Sequence, residues 1–73
     1  MTLHSGERKR VQKAIGERVF QLSQKTADRS KLFRELYSAL KIRYGVNSYR
    51  DIKQHDLQDA LRFIYAWEGG IRA

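Results

Sequence analysis

The chain of 73 residues contains no cysteine, which excludes disulfides and thiolate metal sites and leaves no reason to place it in an oxidising compartment. It contains no proline, so no proline-rich linker divides it. Charged residues interrupt every apolar segment, and none approaches the roughly 20 residues that span a bilayer. The amino-terminal stretch MTLHSGERKR lacks the apolar run of a secretory signal. A cytoplasmic protein without a membrane partner is therefore expected. Catalytic groups are equally sparse. The two histidines, His4 and His55, lie in different segments with no nucleophile or base arranged around them. His55 reads as a solvated or capping side chain. Asp56 and Asp59 read as ordinary charge at a helix start rather than a cation site. Gly69 and Gly70 follow a helical segment instead of preceding one, unlike a phosphate-binding loop. No enzyme, metal, cofactor or small-molecule substrate is expected.

Basic residues are abundant: 15 Lys plus Arg stand against 8 Asp plus Glu, a formal charge of +7. The excess is uneven. Residues 1–24 carry five basic and two acidic side chains, residues 25–46 six and two, and residues 47–73 four and four. All of the surplus thus precedes residue 47. Charge that served solubility alone has no need of this asymmetry, which favours a one-sided basic surface and a polyanionic partner such as DNA.

Apolar spacing predicts three helices. Val11, Ala14, Ile15, Val19 and Leu22 share one face of a helix over residues 5–24, with Ser5 as its cap and Glu7 at its positive end. After a polar connector, Asp28 caps a second helix over residues 29–44, whose face is Leu32, Phe33, Leu36, Tyr37, Leu40 and Tyr44, and Gly45 terminates it. A turn follows, in which Ser48 and Asp51 fit a variant capping box ahead of a short helical turn over 49–52. Leu57, Ala60, Leu61, Ile64 and Trp67 then define a third helix over residues 53–68, closed by the Gly69-Gly70 pair. No stretch has the alternation of a strand. The expected fold is all-α: one compact three-helix domain over residues 1–73, ordered from about 5 to 68, with a short extra turn before the third helix and a core centred on Leu36, Leu40, Leu61 and Ile64.

Candidate nucleic-acid contacts fall in three groups. Lys9, Arg10 and Lys13 lie on the first helix. Lys31, Arg34 and Lys41, with Ser38 between them, form a stripe opposite the apolar face of the second, spaced to follow a phosphate backbone. Asn47, Ser48, Tyr49 and Arg50 at the turn are candidates for base contacts. The turn also invites comparison with a helix-turn-helix, but Lys41 stands where a small residue normally permits close crossing, and Ile52 comes one residue late. Phe20 and Tyr65 fall outside the apolar arcs and suit either packing or self-association.

The order LFRELYSALKIRYGVNSYRDI followed by LQDALRFIYAWE resembles the carboxy-terminal domain of phage antirepressors and related phage regulatory proteins, across roughly residues 10–68. The most specific stretch is Leu36-Tyr37 and Leu40, then Arg43-Tyr44-Gly45-Val46, Ser48-Tyr49-Arg50-Asp51-Ile52, and Ala60-Leu61 with Phe63-Ile64. Lys53 replaces a frequent proline of the family and Tyr44 a frequent phenylalanine. The resemblance implies a module carried behind another domain, in proteins that control prophage genes by binding DNA or by disabling a repressor. The expected function is nucleic-acid binding within such a regulator. The alternative is a protein-binding module for self-association or a repressor, built on members of the set Phe33, Tyr37, Tyr44, Tyr49, Phe63, Tyr65 and Trp67, since aromatic side chains dominate interface cores.

Overall fold

The computed structural model describes residues 2–24 and 28–69. Helix α1 spans Ser5–Ser23, with Val11, Ala14, Ile15, Val19 and Leu22 buried. Its cap is His4 rather than Ser5, and the His4 amide donates to the Glu7 carboxylate at 2.8 Å. Part of the predicted connector, residues 25–27, lies outside the described residues. Helix α2 spans Arg29–Tyr44. It opens on the Asp28 carboxylate, which accepts from the Lys31 amide at 3.0 Å and satisfies one of the free amides of the first turn.

Gly45 ends α2 at φ 63° and ψ 37°, and its amide and that of Val46 return to the last carbonyls of the helix. Nothing lies within 4 Å of where a Cβ would stand. The requirement for glycine is therefore one of backbone conformation, not of space. Gly45→Ala is expected to lower stability by about 1 kcal/mol, read as a lower urea midpoint with an unchanged m value.

Residues 45–56 are the connector between α2 and α3. It holds two 3-10 turns, Tyr49–Asp51 and Gln54–Asp56, before α3 at Leu57–Ala66. A connector of this length is not the 3–4-residue turn of a helix-turn-helix, and that comparison fails here. The predicted third helix begins too early because Ile52 and Lys53 are extended, at ψ 136° and 150°. Their conformation is set by distant partners: the Leu3 amide donates to the Ile52 carbonyl at 3.2 Å, and Thr2 and Lys53 form an isolated antiparallel bridge. The helix also stops two residues early. Trp67 is extended and its carbonyl accepts from Arg18 Nε at 2.7 Å. The indole folds back so closely that a Cβ on Gly69 would lie 2.9 Å from it. Gly70, the second member of the predicted terminator, lies outside the described residues.

Helix α1 packs against both other helices. Ile15, Leu36, Leu40, Ile52, Ile64, Val11 and Val19 are almost fully buried. Leu61 is only half-buried at the edge of the core, which corrects its expected central place. Leu57, Ala60 and Ile64 form the inward arc of α3, and Ile52 from the connector fills the centre. No helix among the described residues is long and apolar enough to cross a membrane.

The carboxy-terminal end of α2 is fastened to α3 by charge. Arg43 lies over the Phe63 ring, 4.9 Å from its centroid, and pairs with Asp59 at 3.1 Å. The Tyr44 hydroxyl donates to the same carboxylate at 2.5 Å. Bonds from Tyr44 and Arg43 hold the Asp59 carboxyl below its ordinary range, while burial and the neighbouring carboxylate push the Tyr44 phenol up to about 12. A depressed carboxyl stabilises the fold above its unfolded pKa, and that contribution is lost as pH falls through the folded value. A raised phenol contributes stability below its unfolded pKa of about 10, lost on the alkaline side as pH climbs to about 12. Asp59→Asn is expected to flatten the acid limb of a stability-versus-pH curve, with urea midpoints as the measurement.

Candidate nucleic-acid interface

Three long-range contacts lay the connector along the amino-terminal half of α1. Leu3 pairs with Ile52, Gln54 Nε2 donates to Glu7 at 3.0 Å, and the Gln12 amide bonds to the Tyr49 hydroxyl. The bonds to His4 and Gln54 hold the Glu7 carboxyl below its ordinary range. Tyr49 is further fixed by its ring, 5.6 Å from that of Tyr37, which in turn stacks on Phe33 at 6.5 Å. The effect is to bring Arg50 against the first turns of α1.

The result is a cleft of about 170 Å³ lined by Ser5, Arg8, Lys9, Gln12, Tyr49 and Arg50. Three of these six side chains are cationic and none is acidic. Among the described residues the ion pairs are Arg43 with Asp59 and the weak His55–Asp56 contact, so the three cations of the cleft are uncompensated. Arg8 Nε is shut off from water and has no hydrogen-bond partner among the described residues. An unpaired buried donor of this kind is costly, and more so on a charged group. An anion entering the cleft meets three cationic side chains. The positive end of α1, which begins at Ser5 in the cleft wall, adds to the field.

The cleft collects Lys9, Arg50 and Tyr49 from the sequence-derived candidates, and Tyr49 requires a correction. It is 9% exposed and its hydroxyl is engaged by Gln12; its contact with the cleft is a wall, not a reading head for bases. Ser48 spends its hydroxyl accepting the Arg50 amide at 3.3 Å, ahead of the turn; it does not pair with Asp51 as a capping box. Asn47 and Arg50 are exposed, as are Arg10 and Lys13 on α1. Arg8 was missed. The signal for it was present, since Ser5, Arg8, Lys9 and Gln12 follow the spacing of a helix stripe, but nothing local announces that Arg50 completes the set.

The α2 candidates stand elsewhere. Lys31 and Arg34 are exposed and Lys41 is half-buried. Arg34 lines a second, open groove with Glu35, Ser38, Ala39, Ile42, Trp67 and Gly69. The stripe is therefore not a uniformly basic face, because a carboxylate and an exposed isoleucine share it. Most of the aromatic set is spent on packing: Phe33, Tyr37, Tyr44, Phe63 and Trp67 lean on the core. Tyr65 is 46% exposed and Phe20 56%, the first bonded to Glu17 at 3.3 Å and the second lying under Arg29 at 5.6 Å.

The fold and the cleft define an all-α domain, with three helices among the described residues and a basic recess where the connector meets α1. The ORF6C domain family matches residues 1–72, and the chain belongs to that family, a domain found in phage regulatory and antirepressor-type proteins. Comparison with curated proteins and with solved structures returned no match.

Proposed function

We propose that this domain is the nucleic-acid-binding module of a phage or prophage transcriptional regulator of antirepressor type, and that Arg8, Lys9 and Arg50 hold a backbone phosphate of DNA. The observation that carries the reading is a cleft lined by three cations, Arg8, Lys9 and Arg50, and by no carboxylate, with none of the three ion-paired among the described residues. Phosphodiester oxygens suit the guanidinium groups of Arg8 and Arg50, with the charge-assisted geometry that arginine favours. Arg10 and Lys13, exposed on the same helix, extend the basic surface beyond the cleft. Such contacts position the protein but carry no sequence information; Asn47, exposed at the turn, is the candidate left to read bases.

Titration of the chain against a mixed-sequence duplex at several salt concentrations tests the proposal. Neutralised phosphates release counterions, so log affinity is expected to fall linearly with log salt, with a slope of about −0.9 for each phosphate contacted. No binding at the lowest salt, or binding indifferent to salt, would falsify the reading.

A further inference from the structure

The outer face of α2 carries features that phosphate binding does not use. Ile42 is 82% exposed, the most prominent apolar side chain of the described surface. It borders an open groove of about 470 Å³ whose other walls include Ala39 and the indole of Trp67. Glu35 sits in the same groove with no ion-pair partner among the described residues. A carboxylate and a bare isoleucine weaken a phosphate-binding stripe, but they suit a surface that meets another helix.

The charges on this face are complementary to themselves. Counted from Ser38, Glu35 stands three residues before and Lys41 three residues after. An antiparallel pairing of two α2 helices about a two-fold axis at Ser38 therefore sets Glu35 of each copy against Lys41 of the other, twice. The same operation places Arg34, four residues before, against Ile42, four residues after, so that the aliphatic stem of the arginine covers the isoleucine. Lys31 comes opposite Gly45, at the negative end of the partner helix, where a cation is stabilising. Small side chains at the centre, Ser38 and Ala39, permit close approach. We propose that the outer face of α2 is the seam of an antiparallel homodimer with its axis at Ser38 and with the Glu35–Lys41 pairs formed reciprocally. A two-fold interface requires this self-complementarity, and the inference is independent of the phosphate cleft.

Sedimentation equilibrium of the chain up to about 1 mM is the first measurement, because a single helix pair belongs to the weak end of interface sizes. Reversible dimerisation weakened by salt is expected, and a monomer throughout would overturn the proposal. Glu35→Lys and Lys41→Glu, each checked for fold by circular dichroism, are expected to raise the dimer dissociation constant at least about tenfold, and the double exchange to restore it. A dimer indifferent to both single changes, or one that the double exchange does not rescue, assigns the interface to another surface and overturns the seam. Ser38→Cys gives a second readout in a chain with no other thiol. Under oxidised glutathione it is expected to form a covalent dimer, with two thiols becoming one disulfide as the glutathione is reduced. Phe20→Cys is not; faster cross-linking at Phe20 than at Ser38 contradicts the axis. Arg50→Ala should leave the association unchanged, which separates failure of this seam from failure of the nucleic-acid reading.

Discussion

Ile64→Ala is expected to remove about 2–5 kcal/mol of folding stability. Ile64 is completely buried, where α3 meets the core, and the neighbouring helices have little freedom to collapse onto the space left behind. A chain of this length has a total stability of only about 4–11 kcal/mol, so the variant should be largely unfolded at modest urea. Leu61→Ala makes the matched comparison. It deletes an apolar side chain of similar size on the same helix, yet one that is only half-buried, and a loss of only about 1 kcal/mol is expected. Urea denaturation of both variants decides the matter: equal losses would mean that the inward arc of α3 has been assigned to the wrong residues.

Joint replacement of Arg8, Lys9 and Arg50 by alanine is expected to weaken duplex binding by roughly a thousandfold, at about 1.5 kcal/mol for each charge-assisted bond to phosphate. The magnitude of the salt slope should fall by about 1 for each phosphate no longer neutralised, and the weakening should be similar for all DNA sequences. Stability should change little or rise, since the substitutions break no ion pair among the described residues and remove the buried Arg8 Nε. Arg62→Ala removes one charge from the exposed side of α3 and serves as the control. Weaker affinity with an unchanged slope would point to a damaged fold rather than to phosphates left unneutralised, as would an equal weakening in the Arg62 variant.

Local chemistry made much of the fold legible. The boundaries of α2 follow from Asp28 and Gly45, because a side-chain cap and a left-handed glycine act on their immediate neighbours. The face of α1 is legible for the same reason, its apolar spacing recurring over successive turns. The connector is different. Nothing near Ile52 and Lys53 signals extended backbone; their conformation answers to Thr2 and Leu3, at the far end of the chain. The helical expectation failed there because a long-range pairing overrode local propensity. Trp67 repeats the point, since the helix stops where Arg18 captures its carbonyl.

The cleft divides along the same line. Spacing on α1 is enough to align Ser5, Arg8, Lys9 and Gln12, but the approach of Arg50 depends on the bonds from Leu3, Glu7 and Gln12 to the connector. The place of Tyr49 at the turn suggests a contact to bases. Its ring instead finds Tyr37 and its hydroxyl finds Gln12, and both partners belong to other elements.

The bond from Leu3 to Ile52 makes the stretch ahead of α1 part of the support of the cleft. Thr2 pairs with Lys53 and Leu3 with the Ile52 carbonyl, three and two positions along the chain from Arg50. That pairing fixes where the connector lies along α1, and with it the place of Arg50 beside Arg8 and Lys9. Arg50 thereby sits between two anchors, the buried ring of Tyr49 on one side and the extended pair at Ile52 and Lys53 on the other, of which the second lines no part of the cleft.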